Sequence, residues 1–206
     1  FVENGGTFVT TYWSGIVDEN DLVNLGGFPG PLRKTLGIWS EEIDALYDGE
    51  TNRVEVKADN PLGLTDDYVA HELCDLIHLE GAEALAYYQD DFYAGRPALT
   101  VNQFGKGKAY YIASRNRRSF HLDFYRKVVD EAGIKRVIEA DLPSGVTAQK
   151  RTDGEYDYVF LLNFSDEVKQ VDLSDATYTD ILTGEDVPEQ VEIAAFSAKI
   201  LKPPAR

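Results

Sequence analysis

Residues 5–44 read GGTFVTTYWSGIVDENDLVNLGGFPGPLRKTLGIWSEEID, and the fold of this chain turns on how that stretch is read. Residues 7–13 are β-branched and aromatic, which suits a buried or half-buried strand, and Gly5-Gly6 interrupts whatever lies before them. The chain then enters Ser14-Gly15. Asp18-Glu19-Asn20-Asp21 predicts a helix start, and Gly26-Gly27-Phe28-Pro29-Gly30-Pro31 predicts successive turns, because each Gly or Pro frees or fixes the backbone. A strand followed by a long shaped loop is the expectation.

A second block, residues 81–115, reads GAEALAYYQDDFYAGRPALTVNQFGKGKAYYIASR. Together the two blocks resemble the middle, trimerisation domain of the β-galactosidases of glycoside hydrolase family forty-two, and the tail from about Val137 is similar to the small C-terminal β domain of the same family. The resemblance implies an α/β, flavodoxin-like domain of class I glutamine amidotransferase type over residues 1–136, lacking its first strands, then a small antiparallel β-sandwich over residues 137–206. It also implies that the parent enzyme cleaves terminal non-reducing β-D-galactosides with retention, using a catalytic barrel absent from this chain. The partners implied are further copies of the chain, as a homotrimer, and that barrel, with galactosides reached only through the parent.

Composition agrees with a folded domain. Two hundred and six residues suffice for one or two cores. The formal charge of -16 disfavours nucleic acid, whose binding depends on Lys and Arg neutralising phosphates. No apolar run approaches the roughly 20 residues of a membrane helix. The single cysteine excludes an internal disulfide framework and favours a reducing, cytoplasmic setting. The chain has no Met and opens on Phe1, as a piece of a longer protein would.

Beyond the opening loop, residues 53–57 alternate as an exposed strand. Residues 68–80 are ambiguous between helix and strand, with Gly81 favouring a strand for the second half. Residues 84–89, 98–104 and 108–113 predict three strands, the last two joined at Gly105-Lys106-Gly107. Ser119 predicts the start of a helix running to about Ala132, with Phe120, Phe124 and Val128 on one stripe and Gly133 as its stop. After Gly133 the pattern changes to short strands and turns, notably Asp153-Gly154 and Thr183-Gly184-Glu185.

Few residues carry chemistry. Glycoside hydrolysis by retention needs two carboxyl groups about 5–5.5 Å apart. The family's acid/base sits in an Asn-Glu pair, and no Asn-Glu dipeptide occurs here. Glu41, Glu42 and Asp44 beside Ser40 are explained by a helix start that attracts acids. Cys74 is the one thiol an amidotransferase-like hydrolase could use, but it lacks the glycine-flanked elbow of such nucleophiles and reads as a buried small hydrophobe. His71, Cys74 and His78 are metal-capable without an evident fourth ligand, so no metal and no cofactor is expected. Lys106 and Lys108 lack the phosphate-loop spacing. Tyr12, Trp13, Phe28 and Trp39 are the candidates for contacting a partner or a sugar face, Trp39 also being placed at helical spacing from Ile43. A carbohydrate-binding module is the remaining alternative, resting on Tyr156, Tyr158, Phe160 and Tyr178.

Overall fold

A computed structural model describes residues 1–173 and 177–203, and divides the chain into two compact units, Phe1–Ile134 and Lys135–Arg206. The first unit runs β1 (Thr7–Thr11), α1 (Arg33–Leu36), β2 (Ile38–Ala45), β3 (Asn52–Val56), β4 (Tyr68–Leu79), β5 (Glu83–Tyr88), β6 (Pro97–Phe104), β7 (Gly107–Ile112), β8 (Ser114–Asn116) and α2 (Arg118–Glu131). Its eight strands form one sheet in the order β1-β7-β6-β5-β3-β4-β2, with β8 pairing β4. Only β1 and β7 run parallel, Thr7 opposite Lys108 and Thr11 opposite Ile112.

The flavodoxin-like, amidotransferase-type expectation is therefore wrong for this unit, which is dominated by antiparallel sheet. Parallel neighbours need a crossover of a dozen or more residues, usually helical. Here most connections are too short. Phe104 pairs Gly107 across the turn Gly105-Lys106, so β6 and β7 close as a hairpin. The ambiguous stretch is strand throughout, from Tyr68 to Leu79, with an irregularity at Glu72, whose φ is 64°.

Two helix signals fail for identifiable reasons. At residues 18–21 the Asp18 carboxylate accepts the Asn20 and Leu22 amides at 2.8 and 3.1 Å, which stabilises a tight turn in place of a helix. Ile16–Asn24 and Val17–Val23 then pair across that turn. At Ser40-Glu41-Glu42 the chain is already in β2, opposite β4. A carboxylate-rich run after Ser resembles a helix start only until a partner strand is available.

The core forms where the sheet meets α2. Phe120, Phe124 and Val128 are buried beside Tyr68 and Tyr110, with Tyr68 edge-on to Phe120 at 5.0 Å and Tyr110 edge-on to Phe124 at 5.6 Å. Burying each Phe contributes about 1.5–3 kcal/mol, so this stripe fixes the helix on the sheet. Glu131 closes the helix by accepting the Tyr110 hydroxyl at 2.5 Å and pairing with Lys108.

Among the described residues the second unit has strands and no helix, as expected from the sequence. It contains β9 (Val146–Thr152), β10 (Asp157–Asn163), β11 (Lys169–Asp172), β12 (Tyr178–Asp180), β13 (Asp186–Val187), β14 (Gln190–Ile193) and β15 (Ala198–Lys202). A five-stranded sheet, β13-β12-β15-β10-β9, accompanies the β11-β14 pair around a core of Val159, Leu161, Val171, Val191, Ile193 and Leu201. Asn163 links them, its amide reaching the Glu167, Ile193 and Ala194 carbonyls at 2.7, 3.1 and 3.0 Å. Residues 174–176 and 204–206 of the expected sandwich lie outside the described residues. Among the described residues, no helix is long and apolar enough to cross a membrane.

Candidate functional site

The loop of residues 12–37 leaves the end of β1 and returns to β2, and its aromatic residues take three different positions. Tyr12 is half-buried, held by its amide on the Ile112 carbonyl at 2.8 Å. Trp13 follows with φ 62° and is 60% exposed. That backbone region is uncommon for a bulky residue. Phe28 is half-buried ahead of a cis bond to Pro29, and its carbonyl accepts the Ser40 amide at 2.9 Å. Trp39, in β2, is half-buried and stacks on His78 of β4 with centroids 4.8 Å apart and planes at 20°.

Phe28 and Trp39 are thus brought together through the backbone, while neither Tyr12 nor Trp13 makes a ring contact with them among the described residues. The helical spacing expected for Trp39 is replaced by strand pairing, Trp39 lying opposite His78. Three residues beside it, Arg33, Glu80 and Arg96, went unremarked in the sequence, and His78 was read there only as metal-capable. The Arg33 guanidinium lies 5.6 Å from the Trp39 ring centroid, binds Glu80 through two contacts of 2.6 and 2.5 Å, and donates to the Gly26 carbonyl at 2.8 Å. His78 Nε2 is 2.7 Å from Glu41 and 2.8 Å from Arg96. One ring nitrogen cannot donate to Glu41 and accept from Arg96 at once, so the two contacts are alternatives set by the tautomer. The His78 hydrogen bond, then the nearby positive charges, hold the Glu41 carboxylate below its usual range, and Arg33 does the same for Glu80. Carboxylates so held are poor proton donors. What this cluster offers is a fixed aromatic ring inside a frame of paired charges.

Behind Trp13 lies a different group. Asp75 is 1% exposed; its Oδ2 accepts the Tyr111 hydroxyl and its Oδ1 has no hydrogen-bond partner. The Trp13 amide approaches the carboxylate and tempers its pKa without completing a well-formed hydrogen bond. Burial dominates and pushes Asp75 up to about 6.

The thiol reading fails on burial. Cys74 is fully buried and its pKa is pushed up to about 11, the opposite of an activated nucleophile. Of the other metal-capable side chains, His71 sits beside Glu72 and His78 beside Glu41, and among the described residues no group of three or more such ligands converges. Asp44 accepts the Tyr93 hydroxyl at 2.8 Å, Glu42 is exposed on β2, and Lys108 pairs with Glu131.

In the second unit, Tyr156 and Tyr178 line a cavity of about 450 Å³ with Lys150 and Asp157. The Lys202 ammonium lies 3.8 Å from the Tyr156 ring centroid and occupies one face of the ring. Tyr158 donates to Asp153 at 2.8 Å, and Phe160 is half-buried while the inward positions of β10 are Val159 and Leu161.

Residues 1–135 match the family described as beta-galactosidase trimerisation domain, and residues 145–203 match beta-galactosidase C-terminal domain. The chain is 55% identical over 202 residues to the beta-galactosidase Pbg of Clostridium perfringens, covering 98% of this chain and 29% of that protein. It is 52% identical over 206 residues to BglY of Alicyclobacillus acidocaldarius, covering all of this chain and 30% of that protein. Among solved structures, the beta-galactosidase of Bacillus circulans sp. alkalophilus superposes with a TM-score of 0.85 at 42% identity, over 99% of this chain and 30% of that one. The chain therefore spans about 30% of the length of the curated relatives it matches.

Proposed function

The chain belongs to the β-galactosidases of glycoside hydrolase family forty-two, and from that premise we propose that it is the non-catalytic portion of such an enzyme, serving subunit assembly and enclosure of the active site. The observation that carries the reading is the match of residues 1–135 to a trimerisation domain. The parent hydrolyses terminal non-reducing β-D-galactosides with retention, on carboxylates that this chain does not supply. Supporting this, Glu41 is hydrogen-bonded to His78, Glu80 is paired with Arg33, Asp44 accepts a hydrogen bond from the Tyr93 hydroxyl, and the carboxyl with a raised pKa, Asp75, is sealed from solvent. Tyr12, Trp13, Phe28 and Trp39 serve on this reading as contacts to a partner subunit or to the rim of the sugar site, with Trp13 the most accessible of them. An unpaired Cys74 accords with a reducing, cytoplasmic compartment.

The test combines an assay with a mass measurement. The 206-residue chain is expected to release no nitrophenol from a nitrophenyl β-galactoside and to sediment as a trimer at micromolar concentration. Turnover that disappears in Asp75→Asn would instead make the chain an enzyme in its own right, and a monomer would remove the assembly role.

A further inference from the structure

Five of the exposed large apolar side chains, Trp13, Val17, Leu22, Val23 and Leu25, fall within thirteen consecutive residues, and Leu25 is 97% exposed. They ride on a segment whose shape is fixed: Val17 bridges Val23, the Asp18 amide donates to the Leu22 carbonyl at 2.8 Å, and the Asn24 side chain donates to the Gly15 carbonyl at 3.0 Å. A rigid segment loses little entropy on docking, so its apolar residues are presented for contact. At its tip stand Glu19 and Asp21, both exposed and without an ion pair among the described residues.

The same unit carries a second open apolar surface of opposite charge. Helix α2 buries Phe120, Phe124 and Val128, yet Leu122, Tyr125 and Val129 are 51%, 43% and 37% exposed. Arg118, Leu122, Tyr125 and Val129 are spaced four, three and four apart, which is one continuous stripe down a helix. Arg117 and Arg118 head this stripe, exposed and without an ion pair among the described residues. In a chain of formal charge -16 such an unneutralised basic pair is a local exception.

We propose that the apolar, acidic segment of residues 13–25 docks on the apolar, basic outer stripe of α2 in a second copy of this chain. The proposal rests on the assembly reading above and names the surfaces that perform it. The occupant follows from complementarity: each surface supplies apolar area, and each carries at one end the charge that the other lacks. Because the two surfaces are different patches of one chain, the contact is heterologous, and a heterologous contact repeated through a closing rotation yields a ring rather than a two-fold dimer. Three copies make the ring that a trimerisation domain would form.

Sedimentation of the 206-residue chain and its variants at several concentrations tests this. Leu22→Glu with Leu25→Glu, and separately Leu122→Glu with Tyr125→Glu, are expected to give folded monomers, the fold being checked by circular dichroism. An equimolar mixture of those two variants retains one intact loop and one intact helix stripe, so it is expected to form a dimer that cannot close. Glu19→Lys with Asp21→Asn, which avoids new apolar-to-charged changes, is expected to weaken association more than ten-fold, and adding Arg117→Glu with Arg118→Glu to restore most of it. Trimers that persist in both apolar variants, or a mixture that stays monomeric, would overturn these surfaces while leaving the assembly reading intact. A wild-type monomer at tens of micromolar would overturn both.

Discussion

Asp75 couples the end of β1 to the pH of the solvent although the solvent does not reach it. Its carboxyl keeps a proton up to about pH 6 in the folded chain, against an ordinary value of 3.8, because burial penalises the charge more than the Tyr111 hydroxyl stabilises it. Between those two values folding takes up a proton, so this residue's contribution to stability is present at low pH and is lost as pH rises through 6. Comparing the wild type with Asp75→Asn by urea unfolding, the wild type is expected to lose roughly 1.4 kcal/mol relative to the variant between pH 5 and pH 8. A difference that does not change over that range would mean the carboxylate is already ionised at pH 5. Gly27 is a second residue with a sharp requirement. Its φ is 94°, and a Cβ there would lie 2.2 Å from Trp39 Nε1. Gly27→Ala is expected to cost about 1–3 kcal/mol by thermal unfolding and to shift the Trp39 emission, since both backbone strain and the ring's seat are affected.

At the scale of elements, what could be read from the sequence depended on whether the signal was local. The stripe Phe120, Phe124, Val128 and the stop at Gly133 describe α2 (Arg118–Glu131) because a helix satisfies its own backbone and shows its buried face every third or fourth residue. The turn at Gly105-Lys106 likewise announced the β6–β7 hairpin. Strand β2 was not readable in this way. Ser40-Glu41-Glu42 has the composition of a helix start, and only the pairing of Trp39 with His78, some forty residues on, makes it a strand. The same distance hid the cluster around Trp39: Arg33, Glu80 and Arg96 look like scattered surface charges, and His78 like a lone metal-capable side chain, until the register of β2 against β4 is known. Elements of the second unit depend on such a distant contact too. Asn163 is 2% exposed and its amide serves three carbonyls, two of them at the end of β14, while its Oδ1 accepts from the Ser165 amide at 3.0 Å and hydroxyl at 2.7 Å. Asn163→Ala strands these groups in the interior and is expected to destabilise the unit by roughly 2–3 kcal/mol in denaturant unfolding, with Asn163→Asp nearly as costly because a carboxylate cannot donate.

At the scale of the whole molecule, the described residues form two separate apolar clusters, one running from Val2 to Val128 and the other from Ile138 to Leu201. The family could be recognised from two quoted blocks, but the fold expected on that basis was wrong for the first unit, because the blocks do not show strand register, and connections as short as Gly105-Lys106 make antiparallel pairs where a flavodoxin-like sheet needs crossovers. Between the clusters, residues 131–136 are exposed, Ile134 by 62%, and Lys135-Arg136 offers trypsin two adjacent sites. Sequences that two cores leave uncovered are where proteases cut first, since cleavage requires local extension of the backbone that a packed strand resists. Brief tryptic digestion is expected to cleave next to Lys135 or Arg136 before any site in β9 or β10, and the two products to melt as separate cooperative transitions. The exposed Lys150 and Arg151 are the internal control, because they are equally accessible as side chains but lie in a strand paired with β10. If they are cut first, accessibility alone governs the cleavage and the second unit does not hold its own fold.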